Sequence, residues 1–292
     1  MRTLVRKGKR WNEALLYTLI YLSASISVFL LLGILFYVFI KGFHCVNLTF
    51  LTSVPSALKG TVGIAGNIVN TLYIVALTLL IATPVGIGAA IYLNEYARPG
   101  RIVRLIEFTT EILSGIPSII FGLFGMVFFG MNLGLGYSIL TGALTLAIMV
   151  LPLITRNTQE ALRTVPESYR SGALGIGATK WYMIRTILLP SAMPGILTGV
   201  ILAVGRIVGE SAALLFTAGS GYLLPNAALG IGGWFKKILE SGGTLTIQLY
   251  LSMSKAQYDT AFGIAVVLLV VVLLINLLTK YLAGRLDVNK KE

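Results

Sequence analysis

Residues Arg170 to Pro190 read RSGALGIGATKWYMIRTILLP, a polar and basic stretch between long apolar segments. Apolar runs of about 20 residues are long enough to cross the hydrocarbon core of a bilayer as helices. Charged side chains are costly in hydrocarbon, so this stretch should lie in water beside the membrane. Because Lys and Arg are enriched in cytoplasmic loops, it predicts a cytoplasmic loop in a chain that crosses a membrane several times.

The overall composition indicates a membrane protein. Of the 292 residues, 56% are apolar and 12% are charged, and the mean hydropathy is +0.87. Soluble domains carry about twice this share of charged residues. We therefore expect an all-α integral membrane protein that forms one membrane domain and has no soluble catalytic domain.

Six segments are long and apolar enough to be transmembrane helices. Two of them contain a proline, Pro84 or Pro152, and we interpret both as kinks, because neighbouring helices can satisfy the carbonyl groups that proline frees. The first segment is too long for a signal-peptide core and no small-residue cleavage site follows it, so it should remain attached. The six predicted spans are approximately Ala14–Ile40, Ile68–Leu93, Ile112–Gly130, Tyr137–Ile154, Gly195–Ala218 and Thr260–Ala283.

The distribution of basic residues predicts the orientation of these spans. With the N-terminus inside, 17 Lys and Arg residues lie on the cytoplasmic side and 5 lie on the opposite side. This is the asymmetry that the positive-inside rule describes, so both termini and the basic loop should be cytoplasmic. The topology accounts for the net charge of +12, and no nucleic-acid partner is needed to explain it.

Several kinds of chemistry are not expected. Cys45 is the only cysteine and His44 the only histidine, which excludes an intrachain disulfide and argues against a protein-only metal cluster. Both are expected to be ordinary residues just outside the first helix. The sequence contains no G-x4-G-K-[ST] motif, so the chain should not bind ATP through a P-loop.

Arg206 and Glu210 are the ionisable residues of the fifth predicted span. A charge at the centre of a span costs roughly 2.5 to 3.5 kcal/mol on insertion scales and usually faces protein or water. Four residues apart in a helix, the two would share a face and could pair. Either they form a structural ion pair, or Arg206 offers positive charge and paired donors to a passing oxyanion while Glu210 holds it in place or accepts a proton.

Small residues suggest two further features. Gly195 with Gly199, and Gly205 with Gly209, are spaced four apart, which allows close helix packing within the bundle or a seam with a second chain. The stretch SGIPSIIFGLFG contains three residues that we assign to a substrate path if the helix is interrupted there. The alternative is a kinked and close-packed helix. The three residues are Ser114, Pro117 and Ser118.

A pattern within the opening stretch resembles the EAA loop of ATP-binding-cassette (ABC) importer permeases. In that family the loop forms a short coupling helix that docks on a separate ATPase subunit. Ser171 stands where the family usually has Glu. The pattern, S-G-A-x3-G-x9-I-x-L-P, consists of Ser171, Gly172, Ala173, Gly177, Ile187, Leu189 and Pro190.

Three longer stretches, Asn70–Ala97, Ser114–Gly125 and Arg156–Gly219, resemble the PstA-type permeases of bacterial phosphate importers, and the similarity runs from about Asn67 to Arg285. It implies a type I ABC importer permease fold with six transmembrane helices and a cytoplasmic coupling helix, in the cytoplasmic (inner) membrane of a bacterium or archaeon. The expected division is a basic N-terminus, first helix and outer loop in 1–66, a permease core of five helices in 67–285, and a cytoplasmic tail in 286–292.

The same resemblance implies the function and the partners. The chain would be a transport subunit, not an enzyme, and would move inorganic phosphate by alternating access. Its partners would be a PstC-like second permease, two cytoplasmic ABC ATPase subunits that bind ATP and Mg, an extracytoplasmic phosphate-binding protein and membrane lipid; the chain itself would hold no cofactor. Arg206 and Glu210 match positions on the family's translocation route. Residues 219–259 would help receive the binding protein, with Trp234, Tyr250 and Tyr258 as interfacial anchors.

Other functions remain open on the sequence. An ABC permease for a different oxyanion, molybdate or sulfate, has the same composition. A membrane-embedded enzyme would need a nucleophile and a base at membrane depth, whereas the lone His44 lies at a helix end with no partner pattern. A secondary transporter is the third alternative, but no obvious internal repeat supports it.

Overall fold

The computed structural model describes residues 10–55, 62–226, 228 and 230–286. The predictions for Lys59, for the basic residues before Arg10 and for the tail from 287 onward fall outside these ranges. Within them the chain is helical and contains no strand. The helices are α1 (Arg10–Gly42), α2 (Leu48–Thr52), α3 (Ala65–Ile91), α4 (Arg101–Gly115), α5 (Ser118–Gly125), α6 (Ile139–Arg163), α7 (Glu167–Gly175), α8 (Lys180–Met183), α9 (Leu189–Gly209), α10 (Ala212–Thr217), α11 (Ile231–Lys237), α12 (Leu245–Ser254) and α13 (Tyr258–Leu286).

The described residues contain enough apolar helix for six membrane crossings, as predicted. Three short π-helical segments continue α3, α5 and α8, and they are Tyr92–Tyr96, Met126–Asn132 and Ile184–Leu188. The apolar helix for the sixth crossing lies in the pair formed by α4 and by α5 with its π-helical continuation, which are bent by 102° relative to each other. The five unbroken candidate spans are Leu15–Cys45, Ala65–Tyr96, Ile139–Arg163, Lys180–Gly209 and Tyr258–Tyr281.

The centre of the bundle is the packing of α3, α6 and α9. Their facing side chains form one buried apolar cluster that includes Ile74, Leu146 and Val204. Pro84 and Pro152 lie inside α3 and α6, which continue through them. The two prolines therefore do not end these helices.

The third predicted span, Ile112–Gly130, is wrong at its beginning. Helix α4 ends at Gly115 and α5 begins at Ser118, with Ile116 extended at φ −71° and ψ 132°. Proline disfavours helical backbone in the residue before it, so Pro117 imposes this break on Ile116. Ser118–Asn132 is the apolar part of this bent pair, and the charged helix α4 before the break forms a separate element.

The fifth predicted span, Gly195–Ala218, is displaced. The apolar helix begins at Lys180 and ends at Gly209. It begins there because the Thr179 hydroxyl caps its first turn by accepting from the Tyr182 N–H at 3.3 Å. Glu210 is extended at φ −80° and ψ 127°. The chain then resumes as the short helix α10, so this crossing is broken where the sequence predicted a continuous helix.

The ends of α3 and α6 define two sides of the bundle. On one side, Arg170 of α7 lies 3.0 Å from Glu95, just after α3. On the other, Asn67 in the first turn of α3 donates to the Gly243 carbonyl at 2.9 Å, and Ile139 at the start of α6 donates to the Glu240 carbonyl at 3.0 Å. We call these the α7 side and the α12 side.

Helix α1 stands at the edge of the bundle and packs mainly against α13. Tyr37 meets the Phe262 ring edge-to-face with centroids 5.7 Å apart, and Gly42 lies against the Phe262 backbone. None of the apolar stretch of α1 is buried within the chain. Its surface is therefore left for lipid or for another subunit.

Candidate functional site

The basic stretch Arg170–Pro190 begins within helix α7, continues through a turn and enters the second helix, α8. Helix α7 places Glu167 in its first turn, where a carboxylate is stabilised by the helix dipole. Gly177 follows with φ +83°, a conformation that glycine adopts without steric cost. The predicted coupling helix corresponds to α7.

Arg170 joins α7 to the ends of two long helices. Its Nη2 donates to Glu95 Oε1 at 3.0 Å and to the Leu162 carbonyl at 2.9 Å, and its Nη1 donates to the Val165 carbonyl at 3.0 Å. The Arg170 side chain is 14% exposed and that of Glu95 is 5% exposed. A displacement of α7 must therefore either move the ends of α3 and α6 or break a buried, charge-assisted contact.

Sequence reasoning did not identify Arg170 or Glu95 as site residues. Arg170 was noted as the first residue of the basic stretch, but its partner lies 75 positions earlier in the chain. No local spacing links the two residues, so the sequence of one chain carried no signal for this pair.

The predicted loop residues divide into two groups. Ala173 is buried against Leu162 and Met183, and Ile187 and Leu189 pack partly on the same cluster. These residues therefore fix α7 to its supporting helices. Pro190 lies in the first turn of α9. The others face outward: Ser171 is exposed and its hydroxyl donates to the Glu167 carbonyl at 3.2 Å. Nothing lies near the Cβ position of Gly172 or Gly177.

Large exposed apolar side chains lie on the same helix–turn–helix as these outward-facing residues. Ile176 is 87% exposed, although an isoleucine in a short polar helix–turn–helix would ordinarily be buried. A contiguous exposed apolar patch beside polar groups marks a protein-binding surface. We call this surface the α7 patch; it consists of Tyr169, Leu174, Ile176, Trp181 and Tyr182.

We predict that Gly177→Val will disturb this turn and Gly177→Asn will not. The left-handed conformation costs most L-residues about 1 to 2 kcal/mol, and Asn tolerates it better than β-branched Val. The Val variant should therefore retain less of the predicted ATPase partner during purification. If Asn causes the same loss in a folded chain, the partner needs the open space at Gly177 itself, and normal retention in both variants would contradict docking at this turn.

The break after α9 is the second feature of functional interest. Glu210 Oε1 accepts from the Ala213 N–H of α10 at 3.0 Å, and the Glu210 carbonyl accepts from the Thr246 hydroxyl at 2.8 Å. Non-helical backbone within a membrane bundle is tolerated only where its polar groups are satisfied or line a cavity. Here the Thr246 hydroxyl and the Ala213 N–H provide hydrogen bonds to the polar groups of Glu210.

The predicted pairing of Arg206 with Glu210 is wrong. Arg206 lies in the last turn of α9, whereas the extended backbone of Glu210 removes it from the helical face that four-residue spacing implied. Among the described residues, the ion pairs within 4.0 Å do not include one between these two side chains. Glu210 acts as a cap for α10, and half-buried Arg206 keeps its positive charge without that neutralising partner.

The two glycine pairs of α9 have different surroundings. Gly195 and Gly199 face Ala161 and Asn157 of α6, where an added Cβ would lie 2.6 Å from the neighbouring Cβ atom, so this pair serves close packing within the bundle. Gly205 and Gly209 have no atom near their Cβ positions. In the part of the chain that the structure describes, the surface beside Arg206 is thus open.

Ser114, Pro117 and Ser118 lie at the break between α4 and α5. The Ser114 hydroxyl donates to the Glu111 carbonyl at 2.7 Å, Pro117 is exposed and Ser118 opens α5. No contact given by the structure joins them to Arg206. One turn after Ser118, however, a Cβ on Gly122 would lie 2.8 Å from the Ala213 Cα, which places the two helix breaks on neighbouring elements.

The α12 side carries the short helices α11 and α12. Trp234 is exposed and stacks on Tyr73 with ring centroids 6.2 Å apart. Buried Lys237 donates to the Ser241 carbonyl at 3.3 Å; burial lowers the pKa of its ammonium, and Glu240 opposes that shift. Among the described residues, no three His, Cys, Asp or Glu side chains form a group that could hold a metal ion.

Comparison with known proteins gives a family and a fold. The family model described as "Binding-protein-dependent transport system inner membrane component" matches residues 82–289. A chain of a bacterial alginate ABC transporter, solved in complex with an alginate pentasaccharide-bound periplasmic protein, has a TM-score of 0.69 and covers 95% of this chain and 96% of that one. Its sequence is 16% identical, so this likeness concerns the fold alone.

Two sequence relatives are considerably more similar. The probable ABC transporter permease protein YqgI of Bacillus subtilis (strain 168) is 36% identical over 272 residues, which are 89% of this chain and 91% of that protein. The phosphate transport system permease protein PstA of Xylella fastidiosa (strain Temecula1) is 37% identical over 243 residues, which are 81% of this chain and 80% of that protein. Both similarities include α7 and the break after α9 within one aligned region of most of the chain.

Proposed function

This chain belongs to the family of binding-protein-dependent transport system inner membrane components, and on that premise we propose that it is a permease subunit of an ATP-driven importer of inorganic phosphate. Its fold is that of a type I ABC importer permease, a transport component and not an enzyme. The observation that carries the phosphate assignment is the 37% identity to a phosphate permease over 81% of the chain. Arg206, held half-buried beside an open helix face, supplies a charge suited to an oxyanion.

The proposed partners correspond to surfaces that the chain leaves open. Two ABC ATPase subunits bind ATP and Mg, and one of them docks on the α7 patch; the chain itself holds no cofactor. A PstC-like second permease covers the face of α9 at Gly205 and Gly209, where nothing lies near their Cβ positions. A phosphate-binding protein docks on the α12 side, around exposed Trp234 and Tyr250.

The proposed mechanism is alternating access driven through α7. When ATP closes the ATPase dimer, the docked patch moves, and Arg170 transmits that motion to the ends of α3 and α6. These helices form the core with α9, so their movement changes access to Arg206. Two packed arrangements of the same helices are sufficient for such a switch.

We predict that the α7 side and both termini are cytoplasmic. Reporters placed after Glu292 and near Ala178 should both give a cytoplasmic signal, because 17 Lys and Arg residues lie on that side in this topology and cytoplasmic loops carry the excess of positive charge. A reporter near Ser254, on the α12 side, is the matched control and should give the opposite signal. An external signal from either of the first two positions would contradict the assignment.

The substrate is tested by uptake competition. Cells that depend on this importer should take up radiolabelled phosphate, and an excess of unlabelled phosphate should suppress the signal while sulfate and molybdate should not. The two competitors address the alternative that the chain serves another oxyanion. Suppression by sulfate or molybdate comparable to that by phosphate would remove the phosphate assignment and leave the family membership intact.

A further inference from the structure

Helix α4 carries an apolar face that none of the described residues covers. Ile102, Leu105, Phe108 and Ile112 follow one another at three- and four-residue intervals, which places them on one side of a helix. All four are exposed, Ile102 to 75%. No residue of α4 is buried, and only Leu113 near its end packs partly against the core.

The opposite face of α4 is polar and is tied to α6. Glu107 lies 3.7 Å from Arg163 and Glu111 lies 3.8 Å from Arg156. All four side chains are substantially exposed, and such pairs contribute little holding energy in water. These contacts orient α4 with its polar side toward α6, and they leave the apolar side facing away from the chain.

The position of α4 places that apolar side at a membrane boundary. The helix follows the end of α3, and its Glu107 lies 3.7 Å from Arg163, the last residue of α6, so it lies on the α7 side of the bundle. It is bent by 102° from α5 and its continuation. If α5 crosses the bilayer, α4 must lie nearly in the plane of the membrane at its surface.

Positive charge is concentrated at the beginning of the helix. Arg98, Arg101 and Arg104 are exposed, and among the described residues none of them has a carboxylate within 4.0 Å. A helix with a wide apolar face flanked by basic residues is typical of a segment that lies in the headgroup region of an anionic membrane. A protein partner would more often match the arginines with acidic groups.

We propose that α4 is an interfacial helix that inserts its apolar face into the leaflet on the α7 side, where Arg98, Arg101 and Arg104 bind anionic lipid headgroups. The ion pairs between α4 and α6 then link the lipid leaflet to α6, which Arg170 also contacts. The occupant of the apolar face is the lipid surface, and this holds whichever solute the chain transports.

Spin labels in the assembled complex test this arrangement. In a Cys45→Ala background, Leu105→Cys and Glu107→Cys variants would be labelled and reconstituted into vesicles of phosphatidylcholine, with and without phosphatidylglycerol. At Leu105 the label should collide severalfold more with oxygen, which partitions into lipid, than with a water-soluble nickel chelate. The Glu107 label is the matched control and should show the reverse preference.

The proposed binding of anionic lipid headgroups is tested with the triple variant Arg98→Gln, Arg101→Gln and Arg104→Gln. Phosphatidylglycerol should move the Leu105 label deeper in the parent complex, and this shift should disappear in the triple variant. A Leu105 label that is shielded from both reagents would mean that a protein subunit covers the face, and one that is open to the nickel chelate would mean water. Either result overturns the proposal, and an unchanged lipid shift in the triple variant overturns the role of the arginines.

Discussion

Arg170→Gln is expected to abolish phosphate-stimulated ATP hydrolysis and uptake while the chain still inserts into the membrane. The substitution leaves the Glu95 carboxylate, 5% exposed, without its cation, and the Leu162 and Val165 carbonyls without their donor. Removing one partner of a buried ion pair costs about 3 to 5 kcal/mol. That cost falls on the contacts through which α7 moves α3 and α6, so coupling should fail first.

Arg163→Gln is the matched control for this prediction. Arg163 lies in the same region, but its ion pair to Glu107 is longer, at 3.7 Å, and its side chain is 63% exposed. An exposed pair of this kind contributes about 0 to 1 kcal/mol, so coupled hydrolysis should stay near normal.

A double variant separates coupling from folding. Arg170→Gln combined with Glu95→Gln removes both buried charges, and it should restore assembly with the ATPase subunits because no unpaired carboxylate remains. It should not restore full stimulation, since the charge-assisted contact between these two side chains is still absent. Normal stimulated hydrolysis in the single Arg170→Gln variant would show that α7 transmits its motion by another route.

Arg206→Gln is expected to remove most phosphate uptake and to leave assembly intact. Gln keeps a donor but loses the charge and the planar fork that suit an oxyanion. A hydrogen bond to a charged group is worth about 1.5 to 3 kcal/mol, which corresponds to a fall in uptake of about 10- to 100-fold. Uptake into vesicles at equal amounts of assembled complex measures this effect, and basal ATP hydrolysis should change little.

Glu210→Gln is the control for Arg206, because the structure gives Glu210 a different task. A Gln side chain still offers an oxygen to the Ala213 N–H, which Glu210 accepts at 3.0 Å, so the variant should assemble. The double variant with Arg206→Gln should assemble as well and remain inactive. Recovery of uptake in the double variant would contradict a role for Arg206 in transport. It would support the alternative that Arg206 and Glu210 form a structural ion pair.

The sequence predicted the positions of most spans, because a bilayer requires long apolar helices and α1, α3, α6 and α13 are simple examples. It also predicted α7, since charge had to leave the hydrocarbon. The break at Ile116 was one of two alternatives that the sequence left open for Ser114–Gly125, whereas the break at Glu210 was missed because periodicity assumes a continuous helix. The Glu210 carbonyl is satisfied by Thr246, which lies 36 residues away, and no local pattern reveals such a partner.

The glycine pairs illustrate the same limit of sequence reasoning. Gly195 with Gly199 and Gly205 with Gly209 have identical spacing, and only the bundle distinguishes the pair packed on α6 from the pair with open surroundings. Helix α4 is different, because its charges at Arg101, Arg104, Glu107 and Glu111 were visible in the sequence. They placed the charged part of α4 before the predicted span, which nevertheless included its last turn from Ile112, and the direction of its apolar face depended on the bend at Pro117.

The most direct test of ATP-driven phosphate import is accumulation of phosphate by the purified complex. Vesicles that contain this chain, its partner permease and the ATPase subunits would be given the binding protein and radiolabelled phosphate on the α12 side and ATP on the α7 side. We expect phosphate to accumulate above its external concentration, and we expect this accumulation to require ATP hydrolysis. Labelled sulfate and molybdate should not accumulate. Accumulation of sulfate or molybdate in place of phosphate, or phosphate entry that does not depend on ATP, would contradict ATP-driven phosphate import.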